Sequence, residues 1–254
     1  MNSRLVLPVV VLLLAGCASS AERQAEQEKI NKQAETHIML GSGYLQRGQL
    51  DVAKEELEKA LKIAPDYSQA NNIMAVLQWR FKAYAEAERY FRKALAADEK
   101  NSSAQHNYGA FLCDRGKIAD GVRHLDVAAS DPVYFYAAEV NLNAGVCLMK
   151  KPAPAAAEKY FREALRINPK LPGALYQMAR ISLDSGQALP ARGFIERYFQ
   201  SAEDTPENLL LAVRIERALH NKNAEASYAL RLRGKFPASP EATQLQALTA
   251  PRKK

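Results

Sequence analysis

Cysteine and histidine are the residues of this 254-residue chain whose spacing most directly tests for reactive or metal-binding chemistry. The three cysteines, Cys17, Cys113 and Cys147, contain no Cys-x-x-Cys pair, and the four histidines are scattered along the chain, so no zinc-ligand spacing is present. His106 precedes Cys113 by seven residues. That places it about two helical turns away, too far to activate a cysteine nucleophile. We therefore expect no enzyme active site and no metal.

The remaining polar residues exclude two further classes of function. Gly41-Ser42-Gly43 is not followed by a third glycine at the spacing of a phosphate-binding loop. The net charge is +7 at pH 7, but basic residues alternate with acidic ones, as in Glu86-Ala87-Glu88-Arg89, which is typical of a solvated helix surface. We expect no bound cofactor, no small-molecule substrate and no nucleic acid, so the partners are proteins.

Small and large apolar residues recur from residue 34 onward with a period of 34 residues. Four repeats place a large residue directly before a small one, at Leu40-Gly41, Met74-Ala75, Tyr108-Gly109 and Met178-Ala179, and the fourth repeat has Ala144-Gly145 there. Two extra residues near Asp131-Pro132 interrupt the period once. A sixth repeat is predicted from Ala212, Leu230 and Pro237, with a slipped register near Ala226. This spacing resembles the tetratricopeptide repeat, a pair of antiparallel helices.

The repeats must position whatever site the protein carries. Small residues such as Gly41 and Ala53 allow two helices to cross closely, and prolines such as Pro65 and Pro169 end the second helix of a pair. No single pair buries its apolar face, so we expect an all-α fold, a right-handed superhelix (α-solenoid) of six tetratricopeptide repeats over residues 34–239 with a concave groove. Residues 240–254 are predicted to form a C-terminal capping helix, with Ala242, Leu245 and Leu248 facing inward, and a basic tail.

In tetratricopeptide folds the first helix of each pair lines the groove, which predicts the residues that contact a partner. The candidates are mostly apolar and come from the first three repeats: Ile38, Leu45, Asn72, Val76, Trp79 and His106. A peptide carboxylate would need Lys, Arg and Asn here, and only Asn72 and Arg80 qualify, so a helix or strand with apolar anchors is expected. The alternative is that side chains of the next repeat cover some of these residues.

The N-terminus carries an export signal. Residues 1–16 combine Arg4 with an apolar run that ends before a charged segment and is shorter than a membrane-spanning helix, the alternative interpretation. Leu14-Ala15-Gly16-Cys17 resembles the lipobox of bacterial lipoproteins, which implies cleavage before Cys17 and its lipidation. Ala18 and Ser19 resemble the sorting pattern of outer-membrane lipoproteins, so we expect a lipid-anchored protein on the periplasmic face of the outer membrane. Residues 17–33 are then a lipidated tether, either extended or helical.

Three segments sharpen the resemblance beyond the general repeat. The segments 106–113, 131–134 and 143–147, together with the lipobox and six repeats, are similar to the PilF/PilW lipoproteins of type IV pilus biogenesis. The resemblance covers essentially the whole chain. It implies a non-enzymatic adaptor, or pilotin, that binds the pilus secretin and promotes its outer-membrane localisation and multimer assembly. A second hypothesis is a periplasmic scaffold for proteins of cell-envelope or peptidoglycan assembly.

Export also changes what is expected of the two remaining cysteines. Cys113 and Cys147 fall on the first helices of adjacent repeats, at positions twelve and ten. The periplasm is oxidising, so they can form a disulfide if their Cα atoms lie within about 7 Å of each other. The alternative is a pair of buried thiols that pack as small apolar side chains.

Overall fold

The structure is a computed structural model that describes the backbone of residues 7–151 and 154–249 and the side chains of residues 22–151 and 155–248. The elements of these ranges are all helices, which confirms the predicted all-α fold class. Thirteen helices are described: α1 (Leu7–Gln46), α2 (Leu50–Ile63), α3 (Ser68–Arg80), α4 (Tyr84–Ala97), α5 (Ser102–Asp114), α6 (Ile118–Ala129), α7 (Ala137–Leu148), α8 (Pro154–Ile167), α9 (Pro172–Asp184), α10 (Ala188–Phe199), α11 (Pro206–Ala218), α12 (Lys222–Lys235) and α13 (Pro240–Thr249).

The helices form two compact units, residues 1–111 (unit 1) and residues 112–254 (unit 2). In unit 1 the core lies between paired helices, where Leu57 and Phe91 are completely buried. In unit 2 Leu125, Phe161 and Ile195 occupy the corresponding places and are also completely buried. Truncating such a side chain to alanine costs about 2 to 5 kcal/mol of folding free energy.

Small residues at the helix crossings allow these side chains to reach the core. A Cβ atom added to Gly41 would lie 2.7 Å from Cγ of Leu57, and one added to Gly145 would collide with the ring of Phe161. These close approaches occur between α1 and α2 in unit 1 and between α7 and α8 in unit 2. The sequence pattern therefore identified the helix-pair contacts correctly.

The turn between the two helices of a repeat has a recurring left-handed residue. Gly48, Gly116 and Gly186 have φ values of 75°, 78° and 77°. In the second and sixth repeats the same place is taken by Lys82, with φ of 61°, and His220, with φ of 57°. In all five turns the amide of the next residue donates to a carbonyl five residues earlier, as Ala83 does to Gln78 at 2.9 Å. This hydrogen-bonded cap ends the first helix and reverses the chain.

The predicted tether is helical where the structure describes it. Residues 22–33 continue α1 ahead of the first repeat, and within them only Ile30 and Asn31 are partly buried. The side chain of Cys17, residues 1–6 of the signal peptide and residues 250–254 of the basic tail lie outside the described part of the chain. No helix in that described part combines the length and apolar character needed to cross a membrane.

The sixth repeat keeps the 34-residue period, so the predicted slip of register near Ala226 is wrong. Leu230 was expected to pack in the core but is 72% exposed, whereas Ala229 and Leu232 are buried. The helix α12 begins 34 residues after α10, so Ala229 is the position equivalent to buried Ile195, and Leu230 lies one residue beyond it. The capping helix α13 packs Ala242 and Leu245 against this core, while Leu248, also expected to face inward, is 44% exposed.

Candidate functional site

The first helices α1, α3 and α5 present a partly exposed surface in unit 1. Positions that differ by one repeat period occupy the same helical phase on successive first helices. Two rows of such positions form a surface that we call the first-helix surface. One row consists of Met39, Ile73 and Asn107, and the other of Ser42, Val76 and Ala110. Met39 is 69% exposed and the other five are partly buried.

Two of the residues predicted for the groove belong to the core instead. Ile38 is 6% exposed and packs with Ala60 and Ala70, and Leu45 is 8% exposed and packs with Leu57. The prediction that they line the groove is wrong, because α3 of the second repeat packs against α1 and covers them. Their truncation would destabilise the fold rather than probe binding alone.

Asn72, the third candidate, is also inaccessible to a partner. Its side chain is completely buried, and its Oδ1 accepts a hydrogen bond from Nδ2 of Asn107 at 3.1 Å. Its Nδ2 has no hydrogen-bond partner within the described structure. Asn72 therefore links α3 to α5, and the suggestion that it could hold a peptide carboxylate is wrong.

Val76, Trp79 and His106 remain at least partly exposed, as a groove residue must be. Trp79 nevertheless packs the edge of its ring against Phe111, with centroids 5.6 Å apart and planes at 87°. Burial lowers the pKa of His106 to about 4, so its imidazole is neutral at physiological pH. His106 therefore adds no charge to the mostly apolar first-helix surface. Trp79 serves partly as core between the second and third repeats.

The cysteines of unit 2 are joined in the structure. A disulfide links Cys113, at the end of α5, to Cys147 on α7, with Cα atoms 5.4 Å apart. The sulfur of Cys113 is therefore not a free nucleophile, which removes the Cys–His arrangement considered above. Lys150 donates a hydrogen bond from Nζ to the carbonyl oxygen of Cys113 at 2.9 Å, so α5 and α7 are also connected beside the disulfide.

Metal chemistry finds no support at any of these places. Within the described residues no group of three or more His, Cys, Asp or Glu side chains is placed to hold a metal ion. The most strongly shifted histidine, His106, owes its shift to burial. The arrangement of the first-helix surface is suited to contact with another protein.

Comparison with known proteins gives the family. A tetratricopeptide-repeat family model matches residues 38–102 and 112–172. The chain is 32% identical to the type IV pilus assembly protein PilF of Pseudomonas aeruginosa over 236 residues, which cover 92% of this chain and 94% of that protein. The chain belongs to the PilF/PilW family of tetratricopeptide-repeat proteins. It is accordingly a tetratricopeptide-repeat protein of type IV pilus biogenesis.

Solved structures of PilF/PilW proteins share the fold along most of the chain. The structure of Pseudomonas aeruginosa PilF has a TM-score of 0.80 at 31% identity and covers 88% of this chain and 100% of its own. The structure of PilW, described as a widely conserved type IV pilus biogenesis factor, has a TM-score of 0.75 at 29% identity and covers 85% and 98%. The resemblance inferred from the lipobox, repeats and three short segments is thus confirmed at the level of the family.

Sequence reasoning missed two exposed apolar features of this PilF/PilW-family protein. Met39 was not named, although it follows the candidate Ile38 directly. The connection between α6 and α7, where the repeat period is interrupted, exposes Val133 and Phe135 by 87% and 86% and Tyr136 by half. The signal for this second feature was the two-residue insertion, because extra residues in a repeat protein are placed in connections at the surface.

Proposed function

We propose that this protein is a lipid-anchored, non-enzymatic adaptor at the periplasmic face of the outer membrane that binds the pilus secretin and promotes its multimer assembly. Support comes first from the family, because PilF is described as a type IV pilus assembly protein. The observation that carries the proposal is the first-helix surface, where exposed Met39 and partly exposed Val76 offer apolar contacts to a protein partner.

The composition of this surface favours a particular kind of contact. Its side chains are apolar or neutral, so affinity would come from apolar burial at a few anchor residues rather than from ion pairs. A secretin segment that forms an amphipathic helix or an extended strand could place alternate apolar side chains on Met39 and Val76.

The anchor is the second part of the proposal. Lipidation of Cys17 would bury acyl methylene groups in the membrane at about 0.8 kcal/mol each. The mostly exposed helical residues 22–33 would then contribute about 18 Å to the distance between the lipid and the first repeat, at 1.5 Å per residue. A secretin subunit could therefore be bound close to the membrane without the repeats touching lipid.

Secretin binding can be tested with a matched pair of charge substitutions. Met39→Asp places a carboxylate on the first-helix surface, and Val52→Asp makes a similar change on α2, where Val52 is 39% exposed. Both proteins should keep their melting temperature within a few degrees, because neither side chain belongs to the buried core. We expect Met39→Asp to weaken binding of the purified mature protein to the secretin subunit about tenfold or more, a loss of about 1.4 kcal/mol or more, and Val52→Asp to bind like the wild type.

Three results would contradict the proposal. Wild-type protein that does not bind the secretin subunit removes the proposed partner. Equal binding by both variants removes the proposed surface. Capture of peptidoglycan-assembly proteins instead of secretin would favour the scaffold hypothesis.

A further inference from the structure

Two arginines without ion pairs lie together in unit 2. A cavity of about 180 Å³ opens between α9, α11 and α13, and Arg180 and Arg214 both line it. Within the described residues, neither guanidinium group has a carboxylate within ion-pair distance or makes a side-chain hydrogen bond, and Nε of Arg180 is buried without a partner. A buried donor that lacks an acceptor is costly, so a ligand that supplies one would be favoured here.

Other arginines of unit 2 show that this arrangement is unusual. Arg162 donates to Glu158 one turn away at 2.5 Å, and Arg192 of α10 pairs with buried Glu216 of α11 at 2.5 Å. In both pairs a carboxylate of the protein already occupies the Nε and Nη2 donors of the guanidinium group. Arg180 and Arg214 keep their planar groups of donors available, and this geometry matches the two oxygens of a carboxylate.

The cavity also has an apolar part. Leu210 and Leu211 are 7% and 4% exposed and form part of its lining, together with the ring of Tyr176. Burial raises the pKa of Tyr176, which indicates a poorly hydrated wall. In such surroundings an ion pair is stronger than in water, and an apolar group next to a carboxylate would also be buried.

We propose that this cavity binds a carboxylate of a partner protein segment, held between Arg180 and Arg214, with a neighbouring apolar side chain on Leu210 and Tyr176. Glu207 and Glu241 also line the cavity, so a second negative charge in the ligand is repelled. The ligand is therefore a segment with one carboxylate beside apolar residues, not a densely acidic peptide. This site is independent of secretin binding at the first-helix surface.

The test measures fluorescence anisotropy of labelled short peptides with the purified mature protein. The first probe has leucine and glycine residues, a single glutamate and an amidated C-terminus. The second replaces that glutamate by glutamine, and the third is the glutamine peptide with a free C-terminal carboxylate. We expect the second to bind at least about tenfold more weakly than the first. The third decides whether the site takes a side-chain or a terminal carboxylate, and binding of either supports it.

Variants then assign the binding to the cavity. Arg180→Gln and Arg214→Gln should each weaken binding of the glutamate probe about tenfold, whereas Arg123→Gln on α6, which removes the same charge outside the cavity, should not. Glu207→Gln should allow a peptide with two adjacent glutamates to bind more tightly. Equal weakening by Arg123→Gln would show a general charge effect and overturn the proposal, as would wild-type protein that binds no probe.

A stability measurement separates a ligand-binding role from a structural one. Arg180→Met keeps the aliphatic stem and removes the unpaired donor, so the melting temperature without peptide should stay equal or rise. A large fall would show that Arg180 holds the fold together, and the proposed ligand site would be rejected.

Discussion

His106 is a partly buried histidine whose pKa, about 4, lies below that of an exposed imidazole. Between about pH 6.5 and pH 4 the unfolded chain therefore binds a proton at this side chain that the folded protein does not. The stability that neutral His106 supports is complete above about pH 6.5 and is lost as the pH falls towards 4.

We therefore expect His106→Gln to reduce the acid sensitivity of folding. In denaturant titrations the wild type should lose up to about 2 kcal/mol more between about pH 7.5 and about pH 5 than the variant does. His124, whose pKa burial also lowers, remains in both proteins and cancels from the difference. Parallel losses in the two proteins would mean that His106 is solvated in the folded state.

The residues of the first-helix surface show which side-chain positions can be predicted from sequence alone and which cannot. The repeat pattern located α1, α3 and α5 and the pairing of Gly41 with Leu57. It did not distinguish Ile38 from Met39, because adjacent apolar residues on a helix differ in phase by about 100° and either could face the core. The packing of α3 against α1, which decides between them, is a tertiary contact that the period does not specify.

At the scale of the helical element, the residue that adopts the left-handed conformation in the turn differs between repeats. Gly48, Gly116 and Gly186 adopt positive φ without steric cost, whereas Lys82 and His220 carry a Cβ atom in the same conformation. A left-handed conformation costs a non-glycine residue about 1 to 2 kcal/mol. The second and sixth repeats therefore retain strain that glycine would remove.

Lys82→Gly should accordingly raise the free energy of unfolding by about 0.5 to 1 kcal/mol. The matched control is Ala83→Gly in the same turn, where φ is −80° and glycine only adds freedom to the unfolded chain. That control should lower the free energy of unfolding by a similar amount. Chemical denaturation of both variants checks the prediction, and a destabilised Lys82→Gly protein would refute it.

The arginine-lined cavity, which lies between helical elements, could not be predicted from the repeat pattern. It is formed by side chains of α9, α11 and α13, and the period predicts which positions are buried but not which charged side chains lack an ion pair. Arg214 thus had no predicted environment. Leu230 was assigned to the core one residue out of the period and is exposed, while Ala229, which lies 34 residues after Ile195, takes the buried place.

For the whole molecule the untested expectation is attachment to the membrane through Cys17. Cys17→Ser should leave the repeats folded, because the described core begins with Ala34, but the protein should no longer fractionate with the outer membrane. Circular dichroism of the soluble fraction provides the control for folding. Recovery of the variant in the outer membrane at wild-type levels would contradict the lipobox interpretation.

The disulfide of unit 2 has a mechanical consequence when the chain is pulled from its two ends. A chain under tension unravels residue by residue, but the 34 residues of sequence from Cys113 to Cys147 are bypassed by a covalent link of 5.4 Å between Cα atoms. Fully stretched, that segment would contribute about 110 to 120 Å of length. Oxidation of the two thiols therefore reduces by about that length how far tension across unit 2 can extend the chain.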